Sequence, residues 1–269
     1  MHGLGNDFIV LDLPSERDWP SAQRWRELAD RHTGIGFDQA LVLLPPRRPE
    51  TDVFYRIINA DGSEVEQCGN GARCIAALLH RRGRSHSRAL SMDSPGGVLQ
   101  ARLLDDGRVS VNMGAPNFDP KSLPFNTPVE RRTYQADVDG ETVEFGAVSM
   151  GNPHATLQVP SVDEAAVERI GRSLQRSPLF PRQVNVGFMQ VIDPGHIRLR
   201  VYERGAGETL ACGTGACAAA VIGHRLGLLA NDVEVHVPGG VLSVHWQGEA
   251  QPVWLTGPAQ QSFEGCVEI

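Results

Sequence analysis

Apolar and β-branched residues gather into short runs along the first half of the chain, at Phe8 to Asp12, Ala40 to Leu44, Val53 to Ile58, Val98 to Leu103 and Arg108 to Asn112, and each run predicts a strand. One helix is predicted over Ser21 to His32. Another follows Gly71, where ARCIAALLHRRG has helical composition, an arginine-rich last turn and a stop at Gly83. Hydrophobic periodicity lapses from about Gly114 to Pro128, a proline-rich polar stretch that reads as a connector. The pattern then begins again, with strands predicted at Thr133 to Val138, Val143 to Met150, Ala155 to Val159, Val184 to Ile192, Ile197 to Glu203, Val233 to Val237 and Leu242 to Trp246. Helices are predicted from about Asp163 to Gln175 and from Gly213 to about Leu226. The Gly213 helix and the segment Ala72 to Leu79 are small and apolar on nearly every face, as suits helices enclosed by their own domain.

The two halves match in detail. Gln67 to Ala76 reads QCGNGARCIA and Ala211 to Ala220 reads ACGTGACAAA. A shift of 144 positions lays Cys68 on Cys212, Gly69 on Gly213, Gly71 on Gly215, Glu64 on Glu208 and Arg56 on Arg200. At a slightly different offset, Gly5-Asn6-Asp7-Phe8 echoes Gly151-Asn152-Pro153-His154. That period is far longer than a solenoid repeat and implies a duplicated domain. The expected fold is α/β of the α+β type: two pseudo-symmetric domains, 1–113 and 114–259, each a mostly antiparallel sheet wrapped around a central helix, with the active site in the cleft between them.

Composition narrows the function. The chain has 269 residues, room for two ordinary domains, and a net charge of -7, which lacks the basic footprint of a nucleic-acid binder. The cluster Arg81, Arg82 and Arg84 reads as a solvated helix end. No signal-like or membrane-spanning run is visible, so the expected location is the cytoplasm, where Cys68, Cys74, Cys212, Cys217 and Cys266 are thiols by default. The only lysine, Lys121, follows Pro120 in a polar stretch and is a poor candidate for a buried pyridoxal phosphate Schiff base. Chemistry at an amino-acid α-carbon would therefore proceed without that electron sink, and no cofactor or metal is expected.

Cysteine at a helix start faces unpaired backbone N–H groups and the positive end of the dipole, an arrangement that favours thiolate and lowers the pKa. Cys68 and Cys212 both fit. The N–H groups of Gly69-Asn70-Gly71 and Gly213-Thr214-Gly215 form anion sites suited to a carboxylate. Two such ends converging on one carboxylate would hold the adjacent carbon between two sulfurs, one removing a proton and the other delivering one to the opposite face. Cys74 and Cys217 lie inside the helices and read as small core hydrophobes, and Cys266 as structural.

With GLGNDF at 3–8, NADGS at 59–63, CGNGARC at 68–74, GNPH at 151–154, ERG at 203–205 and ACGTGA at 211–216, the chain resembles the diaminopimelate epimerases over nearly its whole length. The resemblance implies cofactor-independent interconversion of LL- and meso-2,6-diaminopimelate in lysine and cell-wall biosynthesis. It makes Cys68 and Cys212 the acid/base pair and gives the amides of Gly69, Asn70, Gly213 and Thr214 to the reacting carboxylate. Asn6, Gln39, Asn59, Asn152, Asn185, Glu203 and Arg204 are then expected to line the substrate cavity, with Arg204 offering a fork to a carboxylate and Glu203 an acceptor to an ammonium group. His154 and Glu203 are expected to tune the thiols.

The chain departs from the family pattern at its start, MetHisGly, where a few further residues of a first strand are usual, and at Phe263, where a tyrosine usually helps two subunits associate. A homodimer is still the expected assembly. Residues from about Gln260 resemble a strand returning to complete the first domain over 260–269. Two rival readings stand beside this one. A racemase acting on proline or hydroxyproline would have no distal zwitterion for Glu203 and Arg204. A metal or redox site built from Cys68, Cys74, Cys212 and Cys217 would have ligand pairs too widely spaced for zinc.

Overall fold

The structure, a computed structural model, describes residues 1–65, 68–85 and 87–268. Gln67, which opens the first duplicated motif, and Ile269 lie outside the described residues. The chain divides into two compact units, Met1–Asn112 with Thr256–Ile269, and Met113–Leu255.

In the first unit the elements are β1 (His2–Gly3), β2 (Asn6–Asp12), α1 (Ala22–Ala29), β3 (Gln39–Leu44), β4 (Val53–Asn59), β5 (Glu64–Val65), α2 (Gly69–Arg81), β6 (Ala89–Ser94), β7 (Gly97–Leu103) and β8 (Val109–Asn112). Strands pair in the order β1-β2-β3-β4-β6-β7-β8, with β5 a flap on β4. Among these pairings only β2 with β3 and β4 with β6 are parallel. Strand β3 is apolar at consecutive positions, and Ala40, Leu41, Val42 and Leu43 are all fully buried. Such a run belongs to a strand covered on both faces. Ala40, Val42 and Leu44 pack with Trp25 and Leu28 of α1. On the alternate positions Leu41 meets α2, where a Cβ on Gly71 would come within 2.8 Å of its Cδ2. Glycine there lets the helix start press onto the sheet.

The second unit repeats this plan with β9 (Tyr134–Val138), β10 (Glu141–Ser149), β11 (Pro153–Gln158), α3 (Val167–Arg176), β12 (Asn185–Asp193), β13 (His196–Glu203), β14 (Gly207–Thr209), α4 (Gly213–Arg225), β15 (Asp232–Val237) and β16 (Gly240–His245). Its order is β9-β10-β11-β12-β13-β15-β16 with β14 on β13, and again only two pairings, β11 with β12 and β13 with β15, are parallel. Helix α4 spans Gly213–Arg225, the bounds of α2 shifted by 144, and is buried from Ala216 through Gly223. Duplication extends to the ion pairs. Arg56 grips Glu64 through two hydrogen bonds of 2.7 and 2.6 Å, and Arg200 grips Glu208 through two of 2.6 and 2.8 Å. Each pair fastens a flap strand to its neighbour just before a helix that opens on a cysteine.

Several expectations need correction. Helix α1 is shorter than Ser21 to His32: Ser21 caps its start through the Arg24 N–H, and Asp30 ends it in extended conformation and turns to hold the backbone of His32 and Thr33. Helix α3 begins at Val167 and not near Asp163, because the Asp163 carboxylate is held by Arg198 at 2.7 and 2.9 Å. Strand β6 has no clear alternation in ALSMDS, since its buried positions include Asp93, paired with Arg48 at 3.2 Å, and Ser94. Beyond a short strand at Trp254–Gly257 the chain does not continue as a strand from Gln260. It makes one bridge, His2 with Gln260, and runs irregularly after it. The arginines closing α2 meet acids, Arg82 with Glu264 at 2.8 Å and Arg84 with Asp12.

Candidate active site

In the first unit β2 runs parallel to β3, and β4 runs antiparallel to it, so the starts of β2 and β3 and the end of β4 share one end of the sheet. The register pairs Phe8 with Gln39 and Gln39 with Asn59. Asn6, Gln39 and Asn59 therefore gather there, with Gln39 donating to the Asn59 side-chain oxygen at 3.0 Å and Asn59 to the Ser63 hydroxyl at 3.0 Å. Cys68 caps α2 from an extended conformation, φ −147 and ψ 108, and its sulfur accepts the Gly71 N–H at 3.4 Å. The thiol in turn donates toward Asn6 Oδ1 at 3.7 Å, an oxygen that also accepts from Asn70 Nδ2 at 3.3 Å. Asn6, Asn70 and Cys68 thus form one hydrogen-bonded cluster beside Gln39 and Asn59.

In the second unit the equivalent sheet end collects Asn152, His154, Asn185, Glu203 and Arg204, with His154 registered against Asn185. Glu203 closes β13, and Thr209 on the β14 flap donates to its Oε1 at 2.5 Å. The other carboxylate oxygen faces the start of α4, where Cys212 Sγ donates to Oε2 at 2.9 Å. Cys212 takes the N-cap conformation, φ −111 and ψ 108, with no side-chain capping bond. Its S–H points at Glu203. Thr214 Oγ1 lies 3.6 Å from the same sulfur and accepts from Asn152 Nδ2 at 3.3 Å, while Asn152 Oδ1 lies 3.0 Å from His154 Nε2. His154 thus reaches Cys212 only through Asn152 and Thr214 in this chain of contacts.

The charges correct one expectation. Burial first, and then the Glu203 carboxylate, push the Cys212 thiol well above its ordinary pKa, outweighing the contrary pull of Thr214 and of the nearby Gly215 N–H. The helix end does not make Cys212 a thiolate here, because desolvation and a neighbouring anion act together against it. His154 is pushed down to about 3 by burial and by the Arg204 guanidinium, so it is a neutral imidazole. With Asn152 Oδ1 as acceptor, Nε2 carries the proton.

Asn185 is buried and committed: its Nδ2 donates to the Pro153 carbonyl at 3.2 Å and its Oδ1 accepts the Arg204 backbone N–H at 2.8 Å. It sets where Arg204 leaves the sheet. The Arg204 side chain is exposed and donates to the Arg182 carbonyl at 3.3 Å, which leaves further N–H groups of its fork to meet a ligand. Three participants went unread in the sequence: Thr209 on Glu203, Asp38 on Asn6 at 3.0 Å, and Arg73, fully buried and bonded to Asn70 at 2.8 Å. Arg73 carried a signal, a charged side chain inside an otherwise apolar helical run. Among the described residues, no group of His, Cys, Asp and Glu could hold a metal ion, and no helix is long and apolar enough to cross a membrane.

Comparison with known proteins agrees with these motifs. Residues 1–118 and 146–261 match the family described as Diaminopimelate epimerase. The chain is 52% identical over its full length to the diaminopimelate epimerase of Ectopseudomonas mendocina, covering 98% of that protein. It is 50% identical to that of Stutzerimonas stutzeri, with the same coverage. Among solved structures, a probable proline racemase from Agrobacterium radiobacter with bound carbonate superimposes with a TM-score of 0.67 at 16% identity, over 98% of this chain and 92% of the other. A hydroxyproline epimerase from Agrobacterium vitis gives 0.65 at 16% identity, over 96% and 87%. Those two establish the α+β fold alone; the family match and the full-length identities decide the family, and the chain belongs to the diaminopimelate epimerases.

Proposed function

We propose that the chain is an isomerase that interconverts LL- and meso-2,6-diaminopimelate by moving the α-proton between Cys68 and Cys212, in the lysine and peptidoglycan precursor pathway of the cytoplasm. The observation that carries the reading is the pair of cysteines at equivalent helix starts, one of them donating its proton to a carboxylate, Cys212 to Glu203 at 2.9 Å. In one direction a thiolate takes the α-proton, and the opposing thiol gives its own proton to the other face of the carbon. The sulfurs exchange protonation states and the substrate is inverted. The reading requires the two thiols to address opposite faces of one carbon.

An α-carbanion beside a carboxylate stores its charge on the carboxylate oxygens, so donors aimed there lower the barrier. The N–H groups at Gly69 and Asn70 and at Gly213 and Thr214 are assigned to that carboxylate. Before Cys212 acts as base its proton must leave, and Glu203 is the acceptor already bonded to it. Asn6, Gln39, Asn59, Asn152, Arg204 and Asn185, the last by holding Arg204, are assigned to substrate recognition, with Arg204 and Glu203 reading charge at the distal zwitterion. Both proton transfers fall to side chains, and no step is assigned to a metal or cofactor. Association of two copies is part of this reading, and Phe263, 70% exposed, is an apolar side chain such a contact would cover.

The test is incubation of the reduced protein with LL-diaminopimelate in deuterium oxide, beside Cys68→Ala and Cys212→Ala. Meso product carrying α-deuterium, lost in both variants, is expected. Turnover surviving in either variant, or turnover of proline in place of diaminopimelate, would overturn the reading.

A further inference from the structure

The two half-sites present equivalent asparagines in opposite senses. Asn152 turns its NH2 toward the start of α4, donating to Thr214 at 3.3 Å. Asn6 turns its oxygen toward the start of α2, accepting from Asn70 at 3.3 Å and from Cys68 at 3.7 Å. A carboxamide is nearly symmetric in shape, so packing alone does not choose between these orientations. In the first unit the choice is made by charged groups at the ends of a chain of contacts. Arg73, a donor only, bonds to Asn70 Oδ1 at 2.8 Å, which leaves Asn70 Nδ2 to face Asn6. Asp38, an acceptor only, takes Asn6 Nδ2 at 3.0 Å, which leaves Asn6 Oδ1 to face Cys68.

We propose that Arg73 and Asp38 are positioning residues, the donor and acceptor poles of a directed chain from Arg73 through Asn70 and Asn6 to Asp38 that locks the Asn6 oxygen onto the Cys68 sulfur. Both poles are fixed from outside the chain. Asp38 is held by Arg31 at 2.8 Å and also accepts the Asp7 N–H at 3.1 Å, while Arg31 grips Asp7 through two bonds of 2.8 Å. Arg73 is fully buried beneath β1, where a Cβ on Gly3 would come within 3.3 Å of its Nη2, and it also donates to the Pro258 carbonyl at 3.4 Å. An oxygen facing the sulfur accepts S–H and opposes thiolate; an NH2 in the same place would do the reverse. The chain thus sets how readily Cys68 gives up its proton. Other charged or titratable groups near it include Arg31 and Asp7, already paired, the Met1 ammonium, bonded to the Phe8 carbonyl at 2.8 Å and lowered by burial, and Tyr55 and Cys74, both pushed up to about 12 by burial.

The proposal rests on Cys68 acting as a proton-transferring thiol, and its test uses no substrate, so its failure is separable from failure of that assignment. The pH dependence of Cys68 alkylation, read on its peptide by mass spectrometry, is to be compared in the full chain, Arg73→Gln, Asp38→Asn and the double variant. Acting only as charges, the two substitutions shift the Cys68 pKa oppositely, Arg73→Gln up and Asp38→Asn down, and the double variant returns to the starting value. Acting as poles, each alone leaves the other to set direction, and only the double variant frees the amide to place NH2 on the sulfur. The expected result is a double variant displaced downward by about one pH unit, beyond the sum of the singles. A double variant that titrates like the unsubstituted chain overturns the proposal. Side-chain amide hydrogen exchange at Asn6 in the unsubstituted chain gives a second readout that needs no variant to fold: protection is expected, and exchange as fast as in an exposed asparagine overturns the lock.

Discussion

Cys212 and Glu203 stand 2.9 Å apart, sulfur to carboxylate oxygen, with the thiol as donor. Burial first, and then this anion, hold the sulfur in its protonated form, and in the proposed mechanism the same carboxylate receives the proton. Glu203→Gln separates these roles. Removing the anion lowers the Cys212 pKa, moving its alkylation profile to lower pH. In the proposed mechanism, turnover in the direction that uses Cys212 as base falls by at least about 10²-fold, the lower end of what a general base contributes. Initial rates from each stereoisomer, measured beside the alkylation profile, check both halves of the prediction.

His154 makes stability depend on acid. Its folded pKa, about 3, lies below the unfolded value near 6.5, so its neutral form contributes fully above about pH 6.5, and that contribution is lost as pH falls toward 3. The penalty reaches roughly 2 kcal/mol at pH 5. His154→Gln, which keeps a donor for Asn152, is expected to flatten the denaturation midpoint between pH 6.5 and 4. An unchanged slope would show that the imidazole is not held neutral.

The ion pairs on the two flaps are partly exposed on both partners, which limits their worth. Arg56→Ala and Arg200→Ala are each expected to cost about 1 kcal/mol in urea denaturation, less at high salt. Arg56 holds the Glu64 carboxyl below its usual range. Its part of this stability is present above the ordinary glutamate pKa, about 4.3, and is lost as pH drops through the lowered folded value.

Gly146 on β10 has no room for a side chain, since a Cβ there would sit 2.5 Å from Ile222 Cγ2 on α4. Gly146→Ala is expected to lower stability by about 1 to 3 kcal/mol through overpacking. Gly146→Ala combined with Ile222→Ala, which removes the Cγ2 and Cγ1 atoms that the new methyl meets, should cost less than the sum of the two single substitutions. Urea midpoints of the single and double variants decide this.

Helices α2 and α4 were legible because their cues are local: a glycine-rich opening, a long small-residue run and an arginine or glycine stop, repeated at one offset. Strand β6 was not, because Asp93 and Ser94 are buried by tertiary partners that no local window contains. The ends of α1 and α3 were misplaced for a similar reason, as Asp30 and Asp163 are claimed by the backbone of the next loop and by Arg198.

By itself the sequence determined the duplication, the enclosed helices and a cysteine at each helix start, since these depend on spacing along one chain and on the small set of conformations each residue type allows. Only the tertiary structure decided what each sulfur faces. Glu203 reaches Cys212 because the end of β13 lies beside the start of α4, and Asn6 shows Cys68 its oxygen because Arg73 and Asp38 bond the two ends of one chain of amides. Protonation follows from those neighbours and from burial. Here burial reverses the direction that the helix dipole alone would give Cys212, a balance of desolvation against local fields that exists only once the chain has folded.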